Sequence, residues 1–345
     1  MVGVRQRGET IRLFILDNVE SNSRDISRLT VDAFGISRQA VNKHLQYLVR
    51  QGALSAKGST RNRDYVVQPL VEWEKVYSID SSLIEDRVWR EDIGPLLGGL
   101  PDNVMQIWQY GFTEMFNNVL DHSAGKSTFV RVEKTARVTE IGISDDGVGI
   151  FKKIQDELGL IDERHAVLEL SKGKITTDPE RHTGEGVFFS SRMFDDFAIL
   201  SGTVYFSHTH AENEDWILER QKFESGTSVF MKLRNNSSQT MQKVFAKFTA
   251  ADDFGFTKTV VPVRLARYGD ELLISRSQAK RLLARLERFK IVILDFEGVE
   301  TIGQAFADEV FRVFTAHHSK LELVHIKANS AVKRMIARAQ SLALP

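Results

Sequence analysis

Apolar residues recur along this chain with two different periods, and each change of period marks the border of a predicted element. Apolar positions 11–19 follow helical spacing, a second short helix ends at Gly35, and a third begins after Ser37 and ends at Gly52. Residues 108–122 also follow a helical period. Strict alternation, which is typical of half-buried strands, occupies 127–134, 138–144 and 228–233.

Beyond residue 250 the period changes several times within short distances. Strands are predicted from Val260 to 263–266, around 271–274, and at 291–296 and 321–326. Helices are predicted at 275–289 and 304–316, and a last one reaches Gln340. Strands that alternate with amphipathic helices indicate a sheet covered by helices.

The composition describes a globular chain of more than one domain. With 345 residues, the chain is too long for one hydrophobic core. It has no cysteine, which excludes disulfides, thiolate nucleophiles and Cys-ligated zinc and favours a cytoplasmic location. No run of about 18 apolar residues occurs, so we expect no membrane span. We predict an α+β multidomain protein with domains at 1–69, 101–236 and 250–345, and a packing arm at 70–100.

Positive charge is concentrated at the two ends of the chain. Residues 1–69 hold 11 Lys and Arg against 6 Asp and Glu, and residues 250–345 hold 15 against 11. Because the whole chain has 46 of each sign, the middle carries the compensating acidic excess. A basic head on an acidic body favours a polyanionic partner for the head alone.

The head resembles the winged helix-turn-helix domains of bacterial DNA-binding regulators. Its three predicted helices are followed by residues 53–67, which form two strand-like runs around a basic turn. In such domains an exposed helix reaches base edges of double-stranded DNA, and cations on the wing meet phosphates. This predicts base contacts from Gln39, Asn42 and Lys43, and phosphate contacts from Arg38, Lys57, Arg61 and Arg63. The alternative is a dimerisation or protein-docking module.

The middle of the chain contains four short motifs, each common on its own. Glu114 and Asn118 are four residues apart and therefore share one helix face. An amide oxygen can complete a Mg²⁺ shell, and a carboxylate one turn earlier can orient a water for attack on phosphorus. Asp145 follows a strand and begins an Asp-Asp-Gly-Val-Gly run that contains Gly147 and Gly149. A carboxylate there can accept a hydrogen bond from the exocyclic amine of adenine.

The two remaining motifs lie further along the chain. Gly184 and Gly186 open an apolar helix, whose free backbone N–H groups and positive dipole end favour phosphate oxygens. Thr227 follows Gly226 at the start of a strand, where a hydroxyl can support the adenine-binding carboxylate. The polar stretch 151–183, which contains Lys174, is predicted to be a lid over the triphosphate.

In this order and context the four motifs resemble the GHKL ATPases, the Bergerat-type fold of gyrase, Hsp90, histidine kinases and MutL. The resemblance covers about residues 100–235 and implies an α/β sandwich with a mixed sheet. It also implies a homodimer that binds ATP and Mg²⁺, with Glu114 as the catalytic base and Asn118 as the metal ligand. The predicted ATP contacts are Asn118, Asp145, Gly147, Gly149, Lys174, Gly184, Gly186 and Thr227. Residues 45–121 contain no histidine, which argues against a sensor histidine kinase.

The tail resembles STAS domains, the fold of anti-sigma-factor antagonists, through residues 295–306. More narrowly, it resembles a STAS-like domain found behind GHKL domains. The turn Gly303-Gln304-Ala305 has no hydroxyl at the helix start, where a phosphorylated antagonist carries serine. We therefore expect an unphosphorylated module that docks a protein partner, with a purely structural cap as the alternative and Thr301 as another phosphate acceptor.

These expectations combine into a transcriptional regulator whose nucleotide state controls DNA binding, partner docking or both. Two alternatives stay open. One is an anti-sigma-type serine/threonine kinase that acts on a separate protein. The other is an ATP-timed interaction switch in stress or phage defence, in which DNA binding is incidental.

Overall fold

The computed structural model of the chain describes residues 2–58, 63–175, 184–210, 214–251, 253, 255–267 and 271–341. Within these residues the protein is α+β, with many helices and three separate sheets. None of the described helices has both the length and the apolar character needed to cross a membrane.

The head contains three helices and a two-stranded antiparallel sheet. The elements are α1 Val2–Asn18, α2 Ile26–Phe34, α3 Arg38–Arg50, β1 Leu54–Lys57 and β2 Asp64–Val67. The three helices predicted from apolar spacing are confirmed. Ser37 caps the N-terminus of α3 as predicted, since its Oγ accepts a hydrogen bond from Ala40 N at 3.2 Å. The buried side chains of the head, which include Val41 and Leu45, form an apolar cluster of their own.

The middle of the chain forms a five-stranded sheet in the order β3-β4-β5-β7-β6. A mixed sheet was expected, but all four pairings are antiparallel. The β4–β5 and β6–β7 pairs are hairpins, and a hairpin can join only antiparallel strands. The strands are β3 Pro69–Ser78, β4 Ser127–Thr135, β5 Val138–Asp145, β6 Asp196–Thr209 and β7 Glu214–Arg234.

The packing arm expected at 70–100 supplies an edge strand of this sheet. Strand β3 pairs with β4 along nearly its whole length, and only Gln68 separates it from β2. The rest of the arm combines turns with short helical segments. It contains α4 Glu85–Val88, a π-helical turn Trp89–Ile93 and α5 Gly94–Leu96.

Helices cover one face of the five-stranded sheet. On that face Val130, Val132 and Ile141 are buried, whereas Phe129 and Phe230 on the other face are 37% and 48% exposed. The helices are α6 Asp102–His122, α7 Ile150–Leu158, α8 Glu163–Lys172, α9 Gly186–Met193 and α10 Met241–Lys247. The polar lid expected at 151–183 is largely replaced by α7 and α8, and α8 is buried from Ala166 onward. Residues 176–183 lie outside the described part of the chain.

The C-terminal part contains a three-stranded parallel sheet in the order β10-β9-β8, packed against helices. The strands are β8 Lys258–Pro262, β9 Ile291–Asp295 and β10 Glu322–Ile326. The helices are α11 Arg276–Leu283, α12 Gln304–Asp308, α13 Thr315–His317 and α14 Ser330–Ser341, and a π-helical stretch Glu309–Phe314 joins α12 to α13.

Three predicted elements of the tail differ in extent or in kind from the structure. The strand expected from Val260 is confirmed as far as Pro262, where the pairing of β8 with β9 ends, and Val263–Ala266 form a 3₁₀ helix instead. Residues 271–274 contain only an isolated bridge from Leu273 to Ile302. The helix expected to reach residue 289 ends at Leu283, and the left-handed backbone of Arg285 (φ 63°) separates it from a short 3₁₀ turn.

Candidate functional site

A cavity of about 250 Å³ lies between α6, α9 and the covered face of the sheet. Its polar lining comes from five separate elements and the turn before α9. The polar and glycine residues are Glu114, Asn118, His122, Ser123, Asp145, Lys153, Gly184, Gly186 and Thr227. Apolar side chains, among them Ile143, Leu170, Ile175 and Val229, form the rest of the wall. Predominantly apolar walls with a few convergent polar groups are typical of small-molecule sites.

Helix α6 brings three polar side chains to the cavity at intervals of one turn. Glu114, Asn118 and His122 all line it. Four-residue spacing places them on one helix face, as the sequence predicted for the first two. The opposite face carries Phe112 and Phe116, which are fully buried in the core.

Asp145, at the end of β5, is anchored by backbone N–H groups from the turn that follows it and from strand β7. Gly147 N donates to Asp145 Oδ1 at 2.8 Å, and Thr227 N donates to the same oxygen at 3.3 Å. Burial raises the pKa of Asp145, and these hydrogen bonds act in the opposite direction. Because both described bonds use Oδ1, the second carboxyl oxygen remains as an acceptor for a ligand. Thr227 Oγ1 accepts from Ile150 N at 2.9 Å, which fixes the start of α7 beside the carboxyl group.

The predicted glycines divide into two groups. Gly184 and Gly186 line the cavity, whereas Gly147 and Gly149 are outside its lining and pack closely against other residues. A Cβ at position 147 would lie 2.0 Å from the backbone oxygen of Ser123. Gly147 therefore allows close packing beside Asp145, and Gly149 allows close packing against the Ser201 hydroxyl.

The N-terminal end of α9 faces the Glu114 carboxylate. A Cβ on Gly186, the first residue of α9, would lie 2.0 Å from Glu114 Oε2. The positive end of a helix stabilises an anion. Burial, followed by the nearby Glu114 and Glu185 carboxylates, raises the pKa of Tyr110, one turn before Glu114 on α6. Negative charge is therefore concentrated at this end of the cavity.

Lys153 was missed by the sequence reasoning. Among the described lining residues it is the only Lys or Arg, and its Nζ donates to the backbone oxygen of His122 at 3.2 Å. Helical spacing is the sequence pattern that could have identified Lys153. It is three residues after Ile150 and directly before Ile154, and both isoleucines line the cavity.

Lys174, predicted to bind phosphate, is directed toward the C-terminal part. Its Nζ donates to the backbone oxygen of Arg288 at 3.2 Å and lies 4.9 Å from the centre of the Phe289 ring. It is not among the residues that line the cavity. Of the predicted ATP contacts and the predicted base, the cavity lining contains Glu114, Asn118, Asp145, Gly184, Gly186 and Thr227. Gly147, Gly149 and Lys174 lie outside this lining.

The residues predicted to contact DNA lie on the surface of the head. Arg38, Gln39, Asn42 and Lys43 form an exposed face of α3. Lys57 is exposed at the end of β1, and Arg63 before β2 is half-buried. Arg61 lies outside the described residues.

Comparison with known families gives a match in the C-terminal part. Residues 278–333 match the family described as a STAS-like domain of unknown function (DUF4325). These residues therefore form a STAS-like domain, which confirms the prediction for this part of the tail. No curated protein matches the chain.

Gly226 provides a test of how strongly the cavity depends on close backbone packing. Its φ is +74°, and a Cβ would lie 1.9 Å from the backbone oxygen of Asp145. We expect Gly226→Ala to lower the free energy of unfolding by about 3 kcal/mol or more, since the clash adds to a left-handed penalty of about 1–2 kcal/mol. Urea unfolding of the full chain measures this change.

Gly159→Ala is the matched control, because Gly159 also has a positive φ (+61°) but nothing lies within 4 Å of its Cβ position. We expect it to lose only about 1–2 kcal/mol. Equal losses for the two variants would contradict the role of close packing beside Asp145.

Proposed function

We propose that this chain is an ATP-binding regulatory protein of the GHKL type, in which Mg²⁺-dependent ATP hydrolysis controls DNA binding by a winged-helix head and docking of a partner by the tail. The observation that carries the proposal is the convergence of residues from four separate motifs on one cavity. A homodimer and a cytoplasmic location remain predictions.

The hydrogen-bond acceptor and the apolar walls at one end of the cavity suit adenine. Asp145 offers a carboxyl oxygen to the exocyclic amine, and its position is held by the Thr227 and Gly147 backbones. Apolar residues such as Ile143 and Ile150 supply the flat walls that a purine ring requires.

The donor set at the other end fits a metal-bound phosphate chain. Gly184 and Gly186 leave the start of α9 open to phosphate oxygens. Glu114 already lies at this helix end, so a phosphate there needs a cation between the two anions. Asn118 lies on the same face of α6, where its amide oxygen would hold Mg²⁺, and the metal would neutralise the phosphate charge. Lys153 provides a further positive charge in the cavity.

The attachment of the head supports control of DNA binding by the nucleotide. A single residue, Gln68, joins β2 of the head to β3 of the sheet. Arg137 in the β4–β5 turn also forms a 2.6 Å ion pair with Asp17 of α1. A shift of the sheet is therefore transmitted to the head without a flexible linker.

Asp145→Asn tests the adenine contact. Asparagine retains an oxygen for the Gly147 and Thr227 N–H groups but has no charged acceptor for adenine. We expect the Kd for ATP, measured by calorimetry with Mg²⁺, to rise about tenfold or more. The control is Asp156→Asn, which alters an exposed acid of α7 paired with Lys152. Unchanged affinity in the Asp145 variant would remove the adenine assignment.

Glu114→Ala tests the catalytic base. Since a positioned general base contributes at least about 100-fold, we expect hydrolysis to fall by that factor while ATP still binds. Asp102→Ala, at an exposed carboxylate of the same helix, should leave the rate unchanged. A rate that survives the Glu114 change would exclude it as the base. Transfer of labelled phosphate to a partner protein would favour the kinase alternative.

Arg38→Gln tests the head. We expect the full chain to bind duplex DNA with an affinity that falls as salt rises, and the variant to reduce the slope of log K against log salt by about 1. Arg90→Gln, outside the head and paired with Asp86, is the control. Binding measured with and without ATP tests the coupling. Absence of any salt-sensitive binding would leave the docking-module alternative for the head.

A further inference from the structure

The seven residues 169–175, here called the strap, lie between the cavity and the C-terminal domain. On one side, Leu170 and Ile175 form part of the cavity wall. Ile175 N donates to the backbone oxygen of Gly184 at 3.1 Å, and Gly184 also lines the cavity. A displacement of the strap would therefore change the shape of the proposed nucleotide site.

The other side of the strap is bonded to the C-terminal domain through Lys172. This side chain is 1% exposed, and its Nζ donates to the backbone oxygens of Arg281 at 3.1 Å and Ala284 at 2.9 Å. Both acceptors are at the C-terminal end of α11, so Lys172 binds the end of this helix. Thr259 Oγ1 of β8 donates to the backbone oxygen of Lys172 at 2.7 Å.

A buried carboxylate balances this lysine. Glu169 is fully buried, and its Oε1 accepts from Lys172 Nζ at 2.6 Å. Arg285 Nη1, from the C-terminal domain, lies 3.4 Å from Glu169 Oε2. Removing one partner of a buried ion pair leaves an uncompensated charge, so these groups favour one arrangement of strap and domain.

Close packing leaves little freedom for a different arrangement. A Cβ at Gly173 would lie 2.5 Å from the Phe256 ring and 3.1 Å from the Phe188 ring. Phe256 in turn packs against Phe289 of the C-terminal part, with ring centres 5.2 Å apart. The strap is thus held by hydrogen bonds, charge and aromatic packing at once.

We propose that Lys172 is a positioning residue for the nucleotide site, which it places by fixing the strap to the end of α11. This inference rests on the proposed function. The affinity of the cavity for ATP then depends on whether the STAS-like domain is docked against the strap. Because coupling between two sites is reciprocal, ATP in the cavity also stabilises the docked domain, and a partner that displaces the domain weakens ATP binding.

Two substitutions in the full chain test this proposal. Lys172→Met removes the donor to α11, and Thr259→Val removes the hydroxyl donor to the strap with little change of shape. We expect the Kd for ATP with Mg²⁺ to rise about threefold or more in each, the scale of one lost hydrogen bond. Thr315→Val is the control, because the Thr315 hydroxyl bonds only within its own helical segment, to Phe311 and Arg312.

Hydrogen exchange distinguishes positioning from a purely structural role. In the wild type, ATP should slow amide exchange in 276–288, and this protection should be lost in Lys172→Met and Thr259→Val. A merely structural residue would lower stability in both states and leave the ATP-dependent difference intact. If Lys172→Met does not fold, the Thr259→Val result decides.

The outcomes separate the inference from the proposed function. A wild type that takes up no ATP would overturn both. If the wild type binds ATP and the folded variants bind it equally well, with the same ATP-dependent protection, the inference fails and the proposed function stands.

Discussion

The rotation of α6 about its own axis is the constraint on which the candidate site depends. Phe112 and Phe116 are fully buried, whereas Glu114 and Asn118 line the cavity. The two pairs are offset by two residues and lie about 200° apart around the helix. Burial of a carboxylate among phenylalanines would be costly, so the helix has one acceptable rotation, with its polar face toward the cavity. The core thereby sets the direction of the polar groups.

Local chemistry explains why the sequence predicted much of this site. Asp145 ends a strand whose alternation of apolar and polar residues is clear. The four-residue interval from Glu114 to Asn118 places both side chains on one face of any α-helix. The remaining features depend on distant partners. Strand β3 could not be recognised because its role comes from pairing with β4, about fifty residues away. The direction of Lys174 depends on the Arg288 carbonyl, which no local pattern specifies.

The sequence predicts a domain border at the point where the head meets the five-stranded sheet, and the structure shows how the chain is connected there. Gln68 and Pro69 predicted a domain border, and the apolar clusters on either side are indeed separate. The backbone nevertheless passes from β2 into β3 with one intervening residue. Two cores joined so closely can be independent in packing and still move together, because no flexible segment absorbs a rotation.

The C-terminal domain differs from the head in the way it meets the rest of the chain. Its buried residues belong to the same apolar cluster as those of the five-stranded sheet, and the Lys172 group adds a buried polar joint to that cluster. Hydrophobic packing alone tolerates small sliding, whereas hydrogen bonds to two carbonyl groups specify one position. Coupling free energies of about 1–3 kcal/mol change an affinity 5- to 150-fold, and one or two such bonds supply energies of that size. A regulatory link through the strap therefore requires only the few contacts at Lys172 and Thr259 and no larger rearrangement of either sheet.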